Sequence, residues 1–365
     1  MSKNFLSIHV LSSHSPSCLN RDDMNMQKSA IFGGCRRLRI SSQCLKRAMR
    51  KSDAFSSVGT PSLRTSQVGS LAERFQEQFG DRFEPELVQR VVELISPAKE
   101  GKKYAVSPWS LQEVERVCQL AAEIPDLNGD EKSRKKAEKA LQKELERQAA
   151  SIRRAMAATP DIALFGRMAT SGLMTSVDGA MAVAHAITTH AVEADIDWFT
   201  AVDDLTAEEG ESGAGHLNTQ EFGAGVFYRY ASLNLSQLAE NLGGAQGREA
   251  CRMASRLAGL MATVVPSGKQ QSFAAFNNAD LVLASFDDLP LSHANAFEKP
   301  VQRDVGGGFL QPSISELQDY VHRVRKGYGL DGPQAVFSLW DTSLQRRLGS
   351  LQEMVDWIGK GGEDS

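Results

Sequence analysis

The stretch from Lys28 to Lys51, KSAIFGGCRRLRISSQCLKRAMRK, limits what this chain can become more than any other. Lys28, Arg36, Arg37, Arg39, Lys46, Arg47, Arg50 and Lys51 supply eight positive charges there, and no Asp or Glu interrupts them. The formal charge of the whole chain is −4, so with +8 in this window the remaining residues carry −12. Such asymmetry points to a polyanionic partner held at one place.

The window is also patterned, unlike a disordered basic tail. Gly33-Gly34 signals a turn, Arg36 to Ile40 alternates as a short strand, and Ser41 or Ser42 can cap a following helix. On that helix Cys44, Leu45, Ala48 and Met49 share one arc, while Lys46, Arg47, Arg50 and Lys51 take the opposite one. A merely solvated helix face usually interleaves acids and bases one turn apart. None are interleaved here, so a phosphate-binding face is expected.

With 365 residues, 41% of them hydrophobic and 24% charged, the chain can build one large elaborated domain or two modest ones. No apolar run reaches the length of a membrane span, and Met1 to Val10 lacks the features of a secretory signal, so a cytoplasmic protein with no membrane partner is expected. Cys18, Cys35, Cys44, Cys118 and Cys251 contain no C-x-x-C pair, which fits reduced thiols better than disulfides or zinc.

Along the chain, Asn4 to Ser12 reads as a first strand, followed by a polar loop and then the basic turn and helix. From about Phe55 to Thr159 the texture becomes helical: Ser70 to Phe79, Glu84 to Ile95, Ser110 to Ala122 and Glu131 to Ala157 have helical apolar spacing. The mixed-sign run in the last of these reads as an exposed helix face. Asp161 to Ser171 is expected as a strand, Ala182 to Thr200 has strand-like density, and Phe222 to Leu235 is an aromatic-rich strand. Between Ala191 and Gly215 lie eight acidic residues and no Lys or Arg. Two strands joined by this long glycine-rich excursion read as an extended hairpin used for contact. Arg248 to Val264 is an amphipathic helix, Ser272 to Phe286 is expected as strands around an Asn turn, and Ser313 to Arg325 and Leu348 to Ile358 close the chain as helices. The order fits a split βαβ plan with insertions.

Chemistry is harder to assemble. His185 and His190, five apart in strand-like sequence, fall on opposite faces and make a poor metal or acid/base pair. His9 reads as a core histidine. His14, in the loop near the basic turn, is the candidate general base for an RNA-cleaving alternative. DLNGD (Asp126 to Asp130) lacks the terminal glutamate of a calcium loop, and neither a P-loop nor a G-x-G-x-x-G fingerprint occurs, so no metal or cofactor is expected. Nucleic-acid binding has better material: the cations of the window, Ser41, Ser42 and Gln43 as phosphate ligands, and Lys269 on a flexible Pro266 to Gln270 turn. Met168 and the Phe227, Tyr228 and Tyr230 group offer apolar or stacking contact, although strand aromatics are more often core.

The segments HVLSSHSPSCLNRDDMNMQKSAIFGG, RRLRISSQCLKRAMRKS, DIALFGRMATSG, VDGAMAVAHAITTHAVEADIDWFTAVDDL, GVFYRYASLNL and LSHANAFEKPV closely resemble the CasC family, the repeated backbone subunit of the type I-E CRISPR surveillance complex, Cascade. The resemblance implies an α+β protein with an RRM/ferredoxin-like palm (1–54 and 158–365), a helical fingers insertion (55–157) and a β-hairpin thumb near Val202 to Phe222. It implies partners too: CRISPR RNA, other copies of the chain, other Cascade subunits, and target DNA reached through the guide. Contacts to RNA would come from Arg21, Lys28, Ser41, Gln43, Lys46 and Arg50, with Met168 wedging against bases; the charge pattern adds Arg36, Arg37, Arg47 and Lys269. Thumb contact to a neighbouring copy would involve Val202, Asp204, Leu205, His216, Leu217, Thr219 and Phe222. Cys35 stands where relatives would be expected to carry a basic residue. The family is not a nuclease, so the resemblance implies no catalytic residues and a grip on RNA backbone without base reading.

Overall fold

The computed structural model describes residues 3–95, 106–125, 127, 129–156, 159–168, 176–193, 195–202, 214–244 and 247–363. Its strands are β1 (Phe5–Ser17), β2 (Ser29–Phe32), β3 (Cys35–Ile40), β4 (Leu63–Thr65), β5 (Ser107–Trp109), β6 (Met181–Val183), β7 (Ala186–Thr188), β8 (Asp195–Val202), β9 (Ala214–Asn234), β10 (Leu281–Asp287), β11 (Gln334–Ser338) and β12 (Arg347–Leu348). The chain divides into two compact units, one of Met1–Ser52, Val183–Ser232 and Ala254–Ser365, the other of Asp53–Ala182 and Leu233–Met253.

The first unit is built on a sheet ordered β12-β11-β10-β1-β9-β7-β3-β2. β1 runs antiparallel to β10, with Phe5 opposite Asp287 and Leu11 opposite Leu281. Leu6, Ile8 and Val10 point to one face and Ser7, His9 and Leu11 to the other, and all six are buried. Both faces of this strand are therefore covered, and its polar members Ser7 and His9 are buried along with the apolar ones. His9 is accommodated by a 2.8 Å hydrogen bond between Nδ1 and the Tyr228 hydroxyl and by stacking on His293, ring centres 4.3 Å apart. The helix Leu310–Tyr328 sets Ile314, Leu317 and Val321, spaced as one helical stripe, into a core with Leu11, Tyr228, Leu283 and Phe297.

The β2–β3 hairpin turns through Gly33 and Gly34, both at positive φ (59° and 75°). A side chain at Gly33 would place Cβ 1.6 Å from the Glu298 carbonyl oxygen, so this approach requires glycine.

The second unit has a helical core. Leu71, Phe75 and Phe79 from Val68–Phe79, Val88 and Val92 from Pro85–Ile95, Val114 and Val117 from Leu111–Ala122, and Leu141 from Glu131–Arg147 are all buried together. The expected helices thus form, the last interrupted at Gln148 before Ala149–Met156. Ser110 caps Leu111–Ala122 by accepting from the Glu113 amide. The Glu113 carboxylate meets Arg167 in a fork of two bonds, 2.6 and 2.7 Å, and both side chains are buried.

Three sequence expectations are corrected. Asp161 to Ser171 begins as a helix, Pro160–Phe165, not a strand. Pro160 occupies its first turn, buried Asp161 accepts from the Ser62 amide and hydroxyl at 2.7 Å each, and Gly166 at φ 78° ends it. Ser272 to Phe286 is one helical turn, Gln270–Phe273, followed by the single strand β10. Ala182 to Thr200 is broken into short strands: Thr188 ends β7 opposite Phe227, and just beyond it the His190 ring takes the Val226 amide with Nε2. The division of the chain also differs from a boundary near residue 157. Residues up to Ala182 pack with the helical unit, where Ile162 and Val177 are buried together.

Removing the Glu113 carboxylate takes from the buried Arg167 guanidinium the acid of its two-bond fork. Glu113→Ala is expected to cost about 3–5 kcal/mol of stability. A denaturant titration checks this; a loss below about 1 kcal/mol would contradict it.

Candidate functional site

The helix Ser42–Lys51 starts where three side chains close its first turn. Ser41 Oγ accepts from the Cys44 amide (3.2 Å), the Ser41 amide donates to Asn20 Oδ1 (2.8 Å), and the Ser42 amide donates to His185 Nδ1 (2.9 Å). Leu45 and Met49 are buried, whereas Gln43, Arg47 and Lys51 are exposed and Lys46 and Arg50 half-buried. The apolar face fixes the helix to the sheet unit, and the cationic side chains point away from it.

A cavity of about 300 Å³ lies beside this helix, lined by Asn20, Arg21, Asn25, Arg47, Ser267 and Gly268 among others. The loop carrying Arg21 is braced: Asp22 Oδ1 accepts from the Met24 and Met26 amides at 2.9 Å each, and Arg21 donates to Asn25 Oδ1 at 3.0 Å. Lys269 follows the Pro266–Gly268 wall in a left-handed conformation, φ 54°. Thiols report the local field. Burial raises the pKa of Cys18, opposed by Arg21 and Lys269 and reinforced by Glu221 and Asp22; burial likewise raises Cys44, opposed by Lys28 and Arg47. Four cations from three separate segments therefore act on two neighbouring thiols. An anion entering the cavity would meet the Arg21 and Arg47 side chains, with the Asp22 carboxylate also on the wall and tied up by the Met24 and Met26 amides.

The structure brings Arg21, Arg47 and the turn before Lys269 to one cavity, and Gln43, Lys46 and Arg50 lie on the same helix as Arg47. Arg37 is corrected: it is fully buried, donating from Nε to the Phe32 carbonyl (3.3 Å), from Nη1 to Thr188 O (3.0 Å) and from Nη2 to Phe297 O (2.9 Å) and Glu298 O (3.3 Å). Burial lowers its pKa, and it has no face left for a phosphate. Ser41 is also buried, with its hydroxyl oxygen engaged as the helix cap, so its role is to start the helix. Arg36 is exposed but ion-paired with buried Glu221, which offsets its charge. Met168, in the helical unit, is 88% exposed, a large apolar side chain standing in water.

The expected hairpin is present. β8 pairs with β9 from Asp195 opposite Phe222 to Val202 opposite Ala214, with an irregularity between Ala201 and Val202. Within it Thr219 faces Trp198, Leu217 faces Thr200 and His216 faces Ala201, so the paired arms begin at Asp195, earlier than the expected start at Val202. Asp204 and Leu205 lie outside the described residues.

His14 is corrected as well. It is 2% exposed, its Nε2 accepts from Arg229 Nη2 at 2.9 Å, and burial followed by the Arg229 charge lowers its pKa to about 3. A base for RNA cleavage must reach its substrate and hold a proton near neutral pH. His14 meets neither condition. Asn20 and His185 are site residues that sequence reading missed. Their contacts to Ser41 and Ser42 span 21 and 143 residues, so no local spacing signals them.

These features define a mixed α+β protein with one concentrated, braced cationic surface, and the comparisons narrow the class. The chain belongs to the CT1975-like protein family of Cas proteins, whose model matches residues 6–357. No curated protein sequence matches it. Among solved structures it is similar to a chain of a "CRISPR RNA-guided surveillance complex, pre-nicking", with TM-score 0.78 and 28% identity over 98% of this chain and 100% of that one. A chain of another "CRISPR RNA-guided surveillance complex" matches with TM-score 0.63 and 25% identity, again over 98% and 100%.

His14 and His293 both have folded-state pKa values lowered mainly by burial, to about 3 and about 4. The unfolded chain, with histidines near 6.5, takes up these protons first, so stability is full above about pH 6.5 and falls as the pH drops toward 4. Thermal melts from pH 8 to 4 should show this decline, and His14→Gln should flatten it. An unchanged profile in the variant would contradict the assignment.

Proposed function

We propose that this protein is a non-catalytic guide-RNA-binding backbone subunit of a type I-E Cascade complex, a CasC-type protein. Several copies would assemble along one CRISPR RNA and, with other Cascade subunits, present it for pairing with target DNA. The observation that carries the reading is that Arg21 and Arg47 line the cavity beside the helix Ser42–Lys51, with Lys28 and Lys269 near enough to act on the Cys44 and Cys18 thiols. The full-length similarity to chains of RNA-guided surveillance complexes supports it.

In this reading the sheet unit is the RRM-like palm, the helical unit the fingers, and the β8–β9 ribbon the thumb that meets the next copy. The cations contact phosphates, so binding is tolerant of sequence, and recognition is left to base pairing by the guide. Met168 supplies an apolar wedge against a base. The endoribonuclease alternative rested on His14, whose burial deprives it of its named base.

Lys28→Ala, Lys46→Ala and Arg50→Ala together should abolish assembly on guide RNA, read by size exclusion and by the 260/280 nm absorbance ratio of the purified particle. Normal assembly would overturn the site. Arg37→Ala should instead lower the melting temperature, since it breaks four interior bonds. A variant that melts like wild type yet fails to bind RNA would return Arg37 to the interface.

A further inference from the structure

His185 braces the start of the helix Ser42–Lys51 with one ring nitrogen and has a second to spend. A backbone amide can only donate, so the 2.9 Å bond from the Ser42 amide makes His185 Nδ1 an acceptor. The neutral ring then carries its proton on Nε2. Burial, followed by the Arg39 and Lys28 charges, lowers the pKa of His185, which keeps the ring neutral near pH 7. The residue is exposed, and among the described residues Nε2 meets no acceptor. A donor whose direction is fixed by the helix start is thus left unspent.

Strand pairing supplies its neighbours. β3 and β7 set Arg39 opposite Ile187 and Ile40 opposite Ala186. Ile40 and Ala186 are buried, so Arg39, Ile187 and, two residues back along the chain, His185 share the open face. Arg39 and His185 are therefore diagonal cross-strand neighbours, about 7–8 Å apart at the backbone and within reach of long side chains. Among the described residues the Arg39 guanidinium makes one hydrogen bond, from Nε to the Ser29 carbonyl (3.3 Å), which leaves both terminal nitrogens with protons to donate. A phosphodiester offers two anionic oxygens, one for each donor. We infer that His185 Nε2 and Arg39 together bind one phosphate of the guide RNA beside Lys28, the histidine as a neutral donor and the arginine as the counter-charge. This deepens the RNA-binding reading above and rests on it.

The test titrates guide RNA, across a salt series, into the full chain and into His185→Asn, His185→Gln and Arg39→Gln. Asn keeps an acceptor where Nδ1 stood and lacks the distal donor; Gln places a donor where Nε2 stood and lacks that acceptor. His185→Asn should melt closer to wild type, yet bind RNA about tenfold more weakly at every salt concentration, because a neutral donor releases no counterion. His185→Gln should melt lower and bind tighter than His185→Asn. Arg39→Gln should flatten the slope of log affinity against log salt by about 0.7. Wild-type affinity in His185→Asn, affinities that rank the two His185 variants in the same order as their melting temperatures, or a wild-type slope in Arg39→Gln would each overturn the subsite. Failure of the wild-type protein to bind guide RNA would instead overturn the parent reading.

Discussion

The Arg37 guanidinium holds the cationic surface in place although it never reaches it. Its donors bond carbonyls from the β2–β3 hairpin, from β7 and from the Phe297-Glu298 loop, so one buried cation ties three segments distant in sequence. A buried guanidinium is costly unless its donors are satisfied, and here carbonyl dipoles do this without a carboxylate. Because Arg37 sits within β3, those bonds fix the strand that leads directly into the helix Ser42–Lys51. The same logic recurs at Arg229, which is buried and donates to Met261 O, Val264 O and His14.

The charge of the window is therefore divided between two jobs. Arg37 is structural and Arg36 is offset by Glu221, whereas Arg47 and the flanking Arg21 line one cavity, with Lys28 and Lys269 acting on the Cys44 and Cys18 thiols. Bracing matters as much as charge: Asp22, Asn25, Asn20 and His185 hold the loop and helix start by short polar bonds. A preorganised surface loses less conformational entropy when a strand is laid on it. If copies line one RNA, each can bind modestly while the array binds tightly.

The sequence showed much of this. The Gly-Gly turn, the strand after it, the serine cap and the two faces of the basic helix could all be read because each follows from local periodicity or turn chemistry. It did not reveal which arginines are buried. Arg36 and Arg37 are neighbours of identical type, and their opposite fates depend on strand alternation and on carbonyls about 150 and 260 residues away. The helix at Pro160–Phe165 was misread for a similar reason: its apolar residues suit a strand, and what decides is Pro160 and the long-range bond from Ser62 to Asp161. His14 looked like a loop histidine, but β1 runs on to Ser17 and sets it beside Phe227 and Arg229, more than 200 residues away.

The central claim is that this surface grips a nucleic-acid backbone and does not read bases. Two RNAs of equal length and unrelated sequence, each titrated with the protein from low to high salt, test it most directly. The account predicts superimposable isotherms whose log affinity falls linearly with log salt, by about 0.7 per phosphate contacted. Affinities that differ more than about tenfold between the two RNAs, or a flat salt dependence, would contradict it.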